Sequence, residues 1–325
     1  MKEIKKLGEC PICDHKTQLL FSVPCDYRKP VKSKSYEVDW CEKCHYGQVW
    51  ERPSKTEISA FYELDDYYTH NAANAGNYQV KEAFLDRLRI HISWRLDSGE
   101  ELIPSDVMPF LQDDSLTICE IGCGNGGNLL KFIDKGFSVT GVEPDPVARD
   151  TAKKAVVNVF DGTAEELPDA VLKNKYDVVL MSHVLEHCLD INAAVLNAKK
   201  ILKKGGVFMV ETPNCNSHGF KDYQGEWPWS DIPRHLNFFT PMSLNSILTK
   251  HGFIVAATKY HGFCRQFSNS WLDNEEEIWQ AFRECSSEQI SPPNFTLRAW
   301  KLLFKSMFSS KASKYDSVRH IAVNA

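Results

Sequence analysis

A glycine-rich turn that follows a short apolar run is the feature that most constrains how this chain folds. The run LTICEI is followed by the turn GCGNGG and then by the helical pattern NLLKFIDK. This order predicts a buried strand, a tight turn and a helix. Glycine residues in such a turn permit close approach of a ligand to the backbone. The N–H groups at the start of such a helix favour negatively charged groups. Gly122, Gly124 and Gly127 also satisfy the dinucleotide fingerprint G-x-G-x-x-G, so the turn alone does not identify the cofactor.

The segments after the turn are more specific. The strand pattern in FSVTGVEPD leads to Glu143, about 20 residues past the turn. At this separation an acidic side chain can accept hydrogen bonds from both ribose hydroxyls. VVNVFDGTAEELP, YDVVLMSHVLEHCLD and LKKGGVFMVETPN follow, each with one strand pattern. Strands that alternate with helical patterns predict an α/β domain with a mostly parallel sheet. A nicotinamide-dependent oxidoreductase explains the turn and Glu143 but none of these three segments.

Together these segments resemble the class I S-adenosylmethionine-dependent methyltransferases over residues 117 to about 260. The resemblance implies a Rossmann-like fold: a seven-stranded, mostly parallel sheet with a C-terminal antiparallel hairpin, here expected from HGFIVAATKY and GFCRQF. It also implies S-adenosylmethionine as the cofactor, with Glu120 near its methionine end and Glu143 on its ribose. Thr163, or Asp161 as a near substitute, would lie by the adenine. The implied cofactor-binding residues are Glu120, Gly122, Gly124, Asn125, Gly126, Glu143, Pro144, Thr163, Ala164, Ser182 and His183.

Two Cys-x-x-Cys knuckles near the N-terminus predict a small zinc-ribbon-like module. Cys10, Cys13, Cys41 and Cys44 offer four thiolates, which close a tetrahedral zinc site and make the ion structural. A redox motif or two unrelated thiol pairs are the alternatives, but neither knuckle has the strand-to-helix context of a redox pair. The N-terminus has no apolar secretory core, so a cytoplasmic location with reduced thiols is expected. Metal binding is expected to supply most of the module's folding energy.

The stretch KDYQGEWPWSDIPRHLNFFTP, residues 221–241, interrupts the alternation after the fifth strand, where an acceptor pocket is expected. Methyl transfer requires alignment and exclusion of water, and a hydroxyl acceptor also requires a base, for which histidine is suited near neutral pH. The candidate catalytic residues are His235, His183 and His187, with capping or packing as the alternative for His187. The candidate acceptor-binding residues are Arg234, Trp227 and Trp229, with a salt bridge and loop anchoring as alternatives.

The length of 325 residues predicts more than one unit, because single cores stop growing at roughly 250–300 residues. Four units are expected: a zinc module (1–53), a helical connector or lid (54–110), the cofactor-binding domain (111–268) and a helical C-terminal extension (269–325).

Two helical patterns flank the cofactor-binding domain. In the connector, Phe84, Leu88, His91 and Trp94 share one side and are expected to face the main domain, while Tyr67, Tyr68 and Tyr78 are core residues or a cofactor cover. In the extension, Leu297, Trp300, Phe304 and Met307 share one side, which suits docking, a partner or a membrane surface.

The function predicted is methyl transfer to a small molecule. A net charge of −5 disfavours a dedicated nucleic-acid binder. The zinc module together with PRHLNFFTPMSL is similar to methyltransferases that act on nucleotide sugars and related metabolites, so the expected acceptor is a nucleotide sugar, a glycan precursor or a secondary metabolite. The alternatives are an RNA guanine methyltransferase with an N-terminal zinc module, and a non-catalytic binding or scaffold protein that keeps the fold.

Overall fold

A computed structural model describes residues 8–32, 34–62, 84–111, 116–156, 158–286 and 291–325. The described strands form two sheets, one of four strands and one of seven. The strands are β1 (Gln18–Val23), β2 (Tyr36–Cys41), β3 (Tyr46–Trp50), β4 (Thr117–Ile121), β5 (Ser138–Val142), β6 (Val159–Phe160), β7 (Tyr176–Ser182), β8 (Leu202–Pro213), β9 (Asn237–Phe238), β10 (Phe253–His261) and β11 (Ser317–Asn324).

Helices cover the sheets and begin at the capping residues that the sequence supplies. Asp145 and Asp190 accept backbone N–H bonds at the starts of two helices, and Ser54 and Thr240 form capping boxes at two others. The helices are α1 (Lys55–Phe61), α2 (Phe84–Leu96), α3 (Gly127–Ile133), α4 (Pro146–Lys153), α5 (Asp169–Leu172), α6 (Ile191–Ile201), α7 (His218–Tyr223), α8 (Pro241–Lys250), α9 (Asn269–Ser286), α10 (Phe295–Met307) and α11 (Lys311–Lys314).

The large sheet has the strand order β10-β11-β8-β7-β4-β5-β6. From β6 to β8 all neighbours are parallel, and β11 pairs antiparallel with both β8 and β10. β4, β7 and β8 are buried along nearly their whole length, as expected for strands covered on both faces. The Rossmann-like fold class predicted from the sequence is therefore confirmed.

The partner predicted for β10 is wrong. The segment GFCRQF does not form a strand; Cys264–Phe267 is a short 3-10 helix. β10 pairs instead with β11, which the sequence analysis placed in a helical extension. The boundary predicted at residue 268 therefore fails, because the last strand of the chain lies inside the sheet, between β8 and β10.

The small sheet joins the cysteine-rich region to the acceptor segment. β1, β2 and β3 form an antiparallel meander, and β9, from the 221–241 stretch, pairs with β3. Val23, Val38 and Val49 pack in one cluster with Trp227 and Phe238. The module thus shares its core with the acceptor segment, whereas the sequence analysis treated it as a small unit without a core.

The face of α2 predicted to pack inward points outward, and the apolar side of α10, which suited docking, a partner or a membrane surface, is partly exposed. Phe84 and Trp94 of α2 are 71% and 73% exposed, and Phe304 of α10 is 60% exposed. The sides that pack carry other residues, Arg89 and Ser93 in α2 and Ala299, Leu302 and Leu303 in α10. Tyr67, Tyr68 and Tyr78, for which core packing and a cofactor cover were the alternatives, lie outside the described residues. Of the described helices, none has the length and apolarity needed to cross a bilayer.

Candidate functional site

The glycine turn lies at the carboxyl end of β4, an inner strand of the large sheet that pairs with β7 and β5. Gly122, Gly124 and Gly126 all have positive φ, between +52° and +84°. A Cβ on Gly122 would come within 2.4 Å of Val184 Cγ2, so this glycine is required by packing. A Cβ on Gly124 would meet no heavy atom within 4 Å, so the backbone there faces open space. The turn thus combines tight packing on one side with an accessible surface on the other, as a cofactor cradle requires.

Glu120, near the end of β4, carries a buried carboxyl group whose hydrogen-bonding capacity the protein satisfies only in part. Its Oε1 accepts a 2.9 Å hydrogen bond from Asn128 Nδ2, while its Oε2 is buried without a partner. Burial raises the pKa of Glu120 to about 8, against the opposing effect of the Asn128 bond. An orphaned buried oxygen beside the glycine turn fits a ligand with a hydrogen-bond donor, such as the ammonium group of S-adenosylmethionine.

Glu143 follows β5 and holds the glycine turn against the neighbouring strand. Its two carboxylate oxygens accept backbone N–H bonds from Gly124 at 2.7 Å and Asp145 at 2.9 Å. Each oxygen has one donor and keeps further lone-pair capacity, which suits the two hydroxyls of a ribose. The predicted ribose role is therefore compatible with the geometry and stays a prediction.

The other predicted cofactor residues lie around the same edge of the sheet, and they differ in burial and in the hydrogen bonds that they already make. Ser182 and His183 end β7 beside the turn. Ala164 is buried. Thr163 Oγ1 is occupied, because it accepts the N–H of Glu166 at 3.0 Å. Asn125 Oδ1 likewise accepts the N–H of Gly127 and shapes the turn itself. Asp161, the substitute for Thr163, pairs with Arg149, which also donates to the carbonyl of Pro144.

His183 is held between two buried carboxylates. Its Nδ1 lies 3.1 Å from Glu186 Oε1 and its Nε2 lies 3.3 Å from Glu211 Oε1. Burial alone would lower the pKa of His183, but the bonds to Glu186 and Glu211 outweigh burial and raise the pKa to about 9. At neutral pH this ring is therefore an imidazolium, which does not accept a proton. This protonation state argues against the prediction that His183 serves as a base.

His187 and His235 form a pair of neighbouring rings, with centroids 4.6 Å apart. His235 Nδ1 lies 2.7 Å from the carbonyl oxygen of Trp229. Burial and the neighbouring His187 lower the pKa of His235 to about 4, so this ring is neutral at neutral pH. His187 Nδ1 contacts the carbonyl of Arg234 at 3.1 Å and the hydroxyl of Tyr62 at 2.9 Å.

Two of the three predicted acceptor-binding residues serve the structure instead. The guanidinium of Arg234 is buried and makes bidentate bonds to Asp26 and further bonds to Asp231, so it is not available to a substrate. Trp227 is also buried and packs against Phe220. Both predictions are corrected in favour of their alternatives, a salt bridge and loop anchoring.

Trp229 is the predicted acceptor residue that lies against His183, and its acceptor role stays a prediction. Its ring stacks on His183 with centroids 5.1 Å apart and planes 13° from parallel. Its Nε1 donates to Asp316 at 3.1 Å, and Arg265 lies over its ring. Trp229 therefore joins the end of β7 to the start of β11.

The four cysteines of the two knuckles come together as predicted. One sulfur from each lies within 4.8 Å of the others, and Cys13 Sγ and Cys41 Sγ are 3.6 Å apart. The cysteines are free thiols and not disulfides. Tetrahedral zinc with bonds of about 2.3 Å places its sulfur ligands about 3.8 Å apart, so this donor set fits the ion.

Sequence reasoning missed several residues of the site. Asn128 binds Glu120 from the first turn of α3, and Glu186, within the quoted VLEH, binds His183. Glu211 joins His183 to Arg319 of β11, at 2.7 Å from Arg319 Nε. An acidic residue directly before His187 was a signal available in the sequence. The contact with Arg319 was not, because it depends on the placement of the last strand.

Comparison with known proteins gives a family match over half of the chain. The family described as "Methyltransferase domain" matches residues 96–258 of the 325. A ubiquinone biosynthesis O-methyltransferase of Azorhizobium caulinodans is 33% identical over 150 residues, covering 42% of this chain and 58% of the relative. The enzyme of the same name from Bartonella tribocorum is 29% identical over 164 residues, covering 47% and 64%. The chain thus spans less than two thirds of the length of these curated relatives.

Solved structures give a looser likeness. The crystal structure of an S-adenosylmethionine-dependent methyltransferase from Archaeoglobus fulgidus is 17% identical. It covers 72% of this chain and 94% of its own, with a TM-score of 0.45.

Proposed function

The chain belongs to the methyltransferase-domain family, the class I S-adenosylmethionine-dependent methyltransferases, and from this premise we propose that it transfers a methyl group to a hydroxyl of a small-molecule acceptor. The curated relatives that it resembles are named O-methyltransferases, which supports oxygen as the receiving atom. The acceptor classes expected from the sequence, a nucleotide sugar, a glycan precursor or a secondary metabolite, remain part of this proposal.

The observation that carries the proposal is the partly satisfied carboxylate of Glu120 beside an open glycine turn. Glu120 Oε2 has no protein partner, and Gly124 presents bare backbone to the same region. Glu143 adds acceptor capacity at the end of the next strand. When bound, S-adenosylmethionine supplies a methyl group on a positively charged sulfur.

The acceptor is proposed to bind beside Ser182, His183 and Trp229, at the carboxyl ends of β7 and β8. His183, as an imidazolium, orients polar groups and does not remove a proton. Trp229 offers an aromatic face that is fixed by stacking on His183. The neighbouring pair His187 and His235, the other two predicted catalytic residues, is then the group proposed to promote loss of the acceptor proton.

We also propose that the four-cysteine cluster holds structural zinc, because its donor set and spacing match a closed tetrahedral site. Membrane contact through α10 stays a prediction; the outward position of Leu297 and Phe304 is compatible with it.

The test is calorimetry with S-adenosylhomocysteine, followed by transfer of labelled methyl from S-adenosylmethionine to a panel of nucleotide sugars and hydroxylated metabolites. Glu143→Gln is expected to weaken cofactor binding by more than tenfold, because an amide accepts fewer hydrogen bonds than a carboxylate. The matched control is Glu277→Gln, on the exposed side of α9, which should bind as the parent protein does. A folded protein with no affinity for the cofactor product would refute the proposal.

A further inference from the structure

A second group of metal-capable side chains lies apart from the cysteines, at the acceptor side of the large sheet. It consists of Glu186, His187 and His235, and one ligand atom from each lies within 4.8 Å of the other two. Glu186 and His187 belong to the 3-10 turn Leu185–His187 after β7. His235 comes from the 221–241 segment, which is tied to that turn by the bond from Leu236 N–H to the Glu186 carbonyl at 2.7 Å. We call these three residues the Glu-His-His cluster.

Both histidines of the cluster are oriented by backbone carbonyl groups. His235 Nδ1 lies 2.7 Å from the Trp229 oxygen and His187 Nδ1 lies 3.1 Å from the Arg234 oxygen. Since a carbonyl oxygen only accepts, the Nδ1 of His235 donates and its Nε2 carries the lone pair. His187 Nδ1 also lies 2.9 Å from the Tyr62 hydroxyl, and the tautomer that donates to the Arg234 carbonyl has its lone pair on Nε2. This arrangement, in which the second nitrogen is fixed by a hydrogen bond, is the one that metal-binding histidines adopt.

Glu186 provides a second, independent indication that this cluster binds a ligand. The residue is fully buried, and its Oε1 is bonded to His183. Its Oε2 is also buried but has no hydrogen-bond partner. Buried carboxylate oxygens are almost always satisfied, because leaving one without a partner is costly. An oxygen in this condition, on a residue grouped with two histidines, can bind a cation.

We propose that the Glu-His-His cluster binds a divalent transition-metal ion through Glu186 Oε2, His187 Nε2 and His235 Nε2. Two imidazoles and one carboxylate suit zinc, iron or cobalt better than magnesium, calcium or manganese, which prefer oxygen ligands. Bonds of about 2.0–2.2 Å bring such ligand atoms to roughly 3–3.5 Å from one another, so the side chains close on the ion by about an ångström. Three protein ligands leave an open coordination position.

The role of the ion rests on the proposed function. An acceptor hydroxyl at the open position has its pKa lowered by the ion and gives its proton to water. The oxygen's electron pair then forms the bond to the methyl carbon as the carbon–sulfur bond breaks, with its electrons passing to sulfur. His187 and His235 then act as ligands, and neither is the base.

The experiment uses the full chain with its cysteine site loaded with zinc, dialysed against excess cobalt(II) and then freed of unbound metal. The expected result is one cobalt per chain beside one zinc, with the weak visible absorption of nitrogen and oxygen ligands, not the intense bands of thiolate ligation. His187→Asn and His235→Asn should each lose the cobalt and keep the zinc. The matched control is His320→Asn, a buried histidine of β11 that contacts Thr258 and the Pro241 carbonyl, and it should keep both metals.

Two results would overturn the proposal: no cobalt retained, or cobalt whose amount and spectrum are unchanged in both histidine variants. S-adenosylhomocysteine binding reports that each variant is folded, and Glu186→Gln replaces any histidine variant that fails this check. Methyl transfer is scored separately. Cobalt binding without any methyl transfer would support the metal site and count against the proposed function. Methyl transfer by a protein that binds no cobalt would support the proposed function and count against the metal site.

Discussion

Glu120 is buried, and one of its two carboxyl oxygens has no hydrogen-bond partner in the protein. The low-dielectric surroundings raise the pKa of the carboxyl to about 8, so the residue is mostly protonated at neutral pH before a ligand arrives. An ammonium group of the cofactor favours the carboxylate form. Binding is therefore coupled to the loss of one proton from Glu120.

The affinity for S-adenosylhomocysteine is predicted to rise with pH up to about 8. Below that pH the protonated fraction must be ionised first, which weakens binding by about tenfold at pH 7 and about a hundredfold at pH 6. Calorimetry between pH 6 and pH 8.5 measures this slope. In Glu120→Gln, which cannot ionise, binding should be weaker at high pH and the slope should vanish; a parent protein whose affinity does not change with pH would contradict the coupling.

Arg234 shows where reading single residues failed. An arginine beside a histidine in a polar, aromatic loop is typical of a substrate site. The carboxylate that binds its guanidinium, Asp26, is 208 positions away in the sequence. Only the folded chain brings them together, whereas Glu120, Gly122 and Glu143 belong to one local strand-turn-strand pattern and could be recognised from the sequence.

At the scale of elements, the chain offers two glycines that distinguish the effect of backbone strain from the effect of ligand contact. Gly124 and Gly136 both have positive φ and both have space for a Cβ, but only Gly124 lies in the turn between β4 and α3. The two glycines thus form a matched pair.

Gly124→Ala and Gly136→Ala are predicted to lower the free energy of unfolding by a similar amount, about 1 kcal/mol, because each forces alanine into the left-handed region. Only Gly124→Ala should also weaken S-adenosylhomocysteine binding, by more than tenfold, because its methyl group projects into the open space of the turn. Chemical denaturation and calorimetry measure the two effects. Equal affinities in the two variants would mean that the cofactor does not contact Gly124.

Periodicity identified α2 and α10 as helices but assigned the wrong side of α2 to the core and left the partner of the α10 side open. In α10 Leu297 and Phe304 face outward, as does Phe308 just after the helix, and Leu302 and Leu303 pack inward. An amphipathic pattern shows that a helix has two faces; it does not show which apolar stripe finds a partner when both faces carry apolar groups. The strand β11 escaped prediction for a related reason, since its strand partners are distant in sequence and its neighbours are helical.

On the scale of the whole molecule, the cysteine module is fastened to the acceptor segment at several points. Arg52 donates to the carbonyl groups of Cys188, Leu189 and Leu236, and Tyr46 donates to Asn237 at 2.5 Å. β3 pairs with β9 two residues after His235. The module therefore stabilises the acceptor side of the site, while the cofactor side is built by β4 and β5.

Loss of zinc is predicted to disturb the acceptor side and spare the cofactor side. In Cys13→Ser, hydrogen exchange should become faster in residues 227–238, while the affinity for S-adenosylhomocysteine stays within about twofold, because β4 and β5 belong to the other sheet and pair with no strand of the module. The control is Cys264→Ser, a cysteine outside the knuckles. Unchanged exchange in a variant shown to lack zinc would mean that protein contacts alone hold the module in place.

The position of β11 has a consequence for how the protein is made. A ribosome releases residues 117–261 long before Ser317–Asn324, yet the sheet remains divided until that last segment inserts between β8 and β10. Throughout this interval two strand edges stay open to pairing with other nascent chains. A product truncated before Ser317 would therefore retain every predicted cofactor and cysteine residue, yet expose those two strand edges and be prone to aggregation or proteolysis.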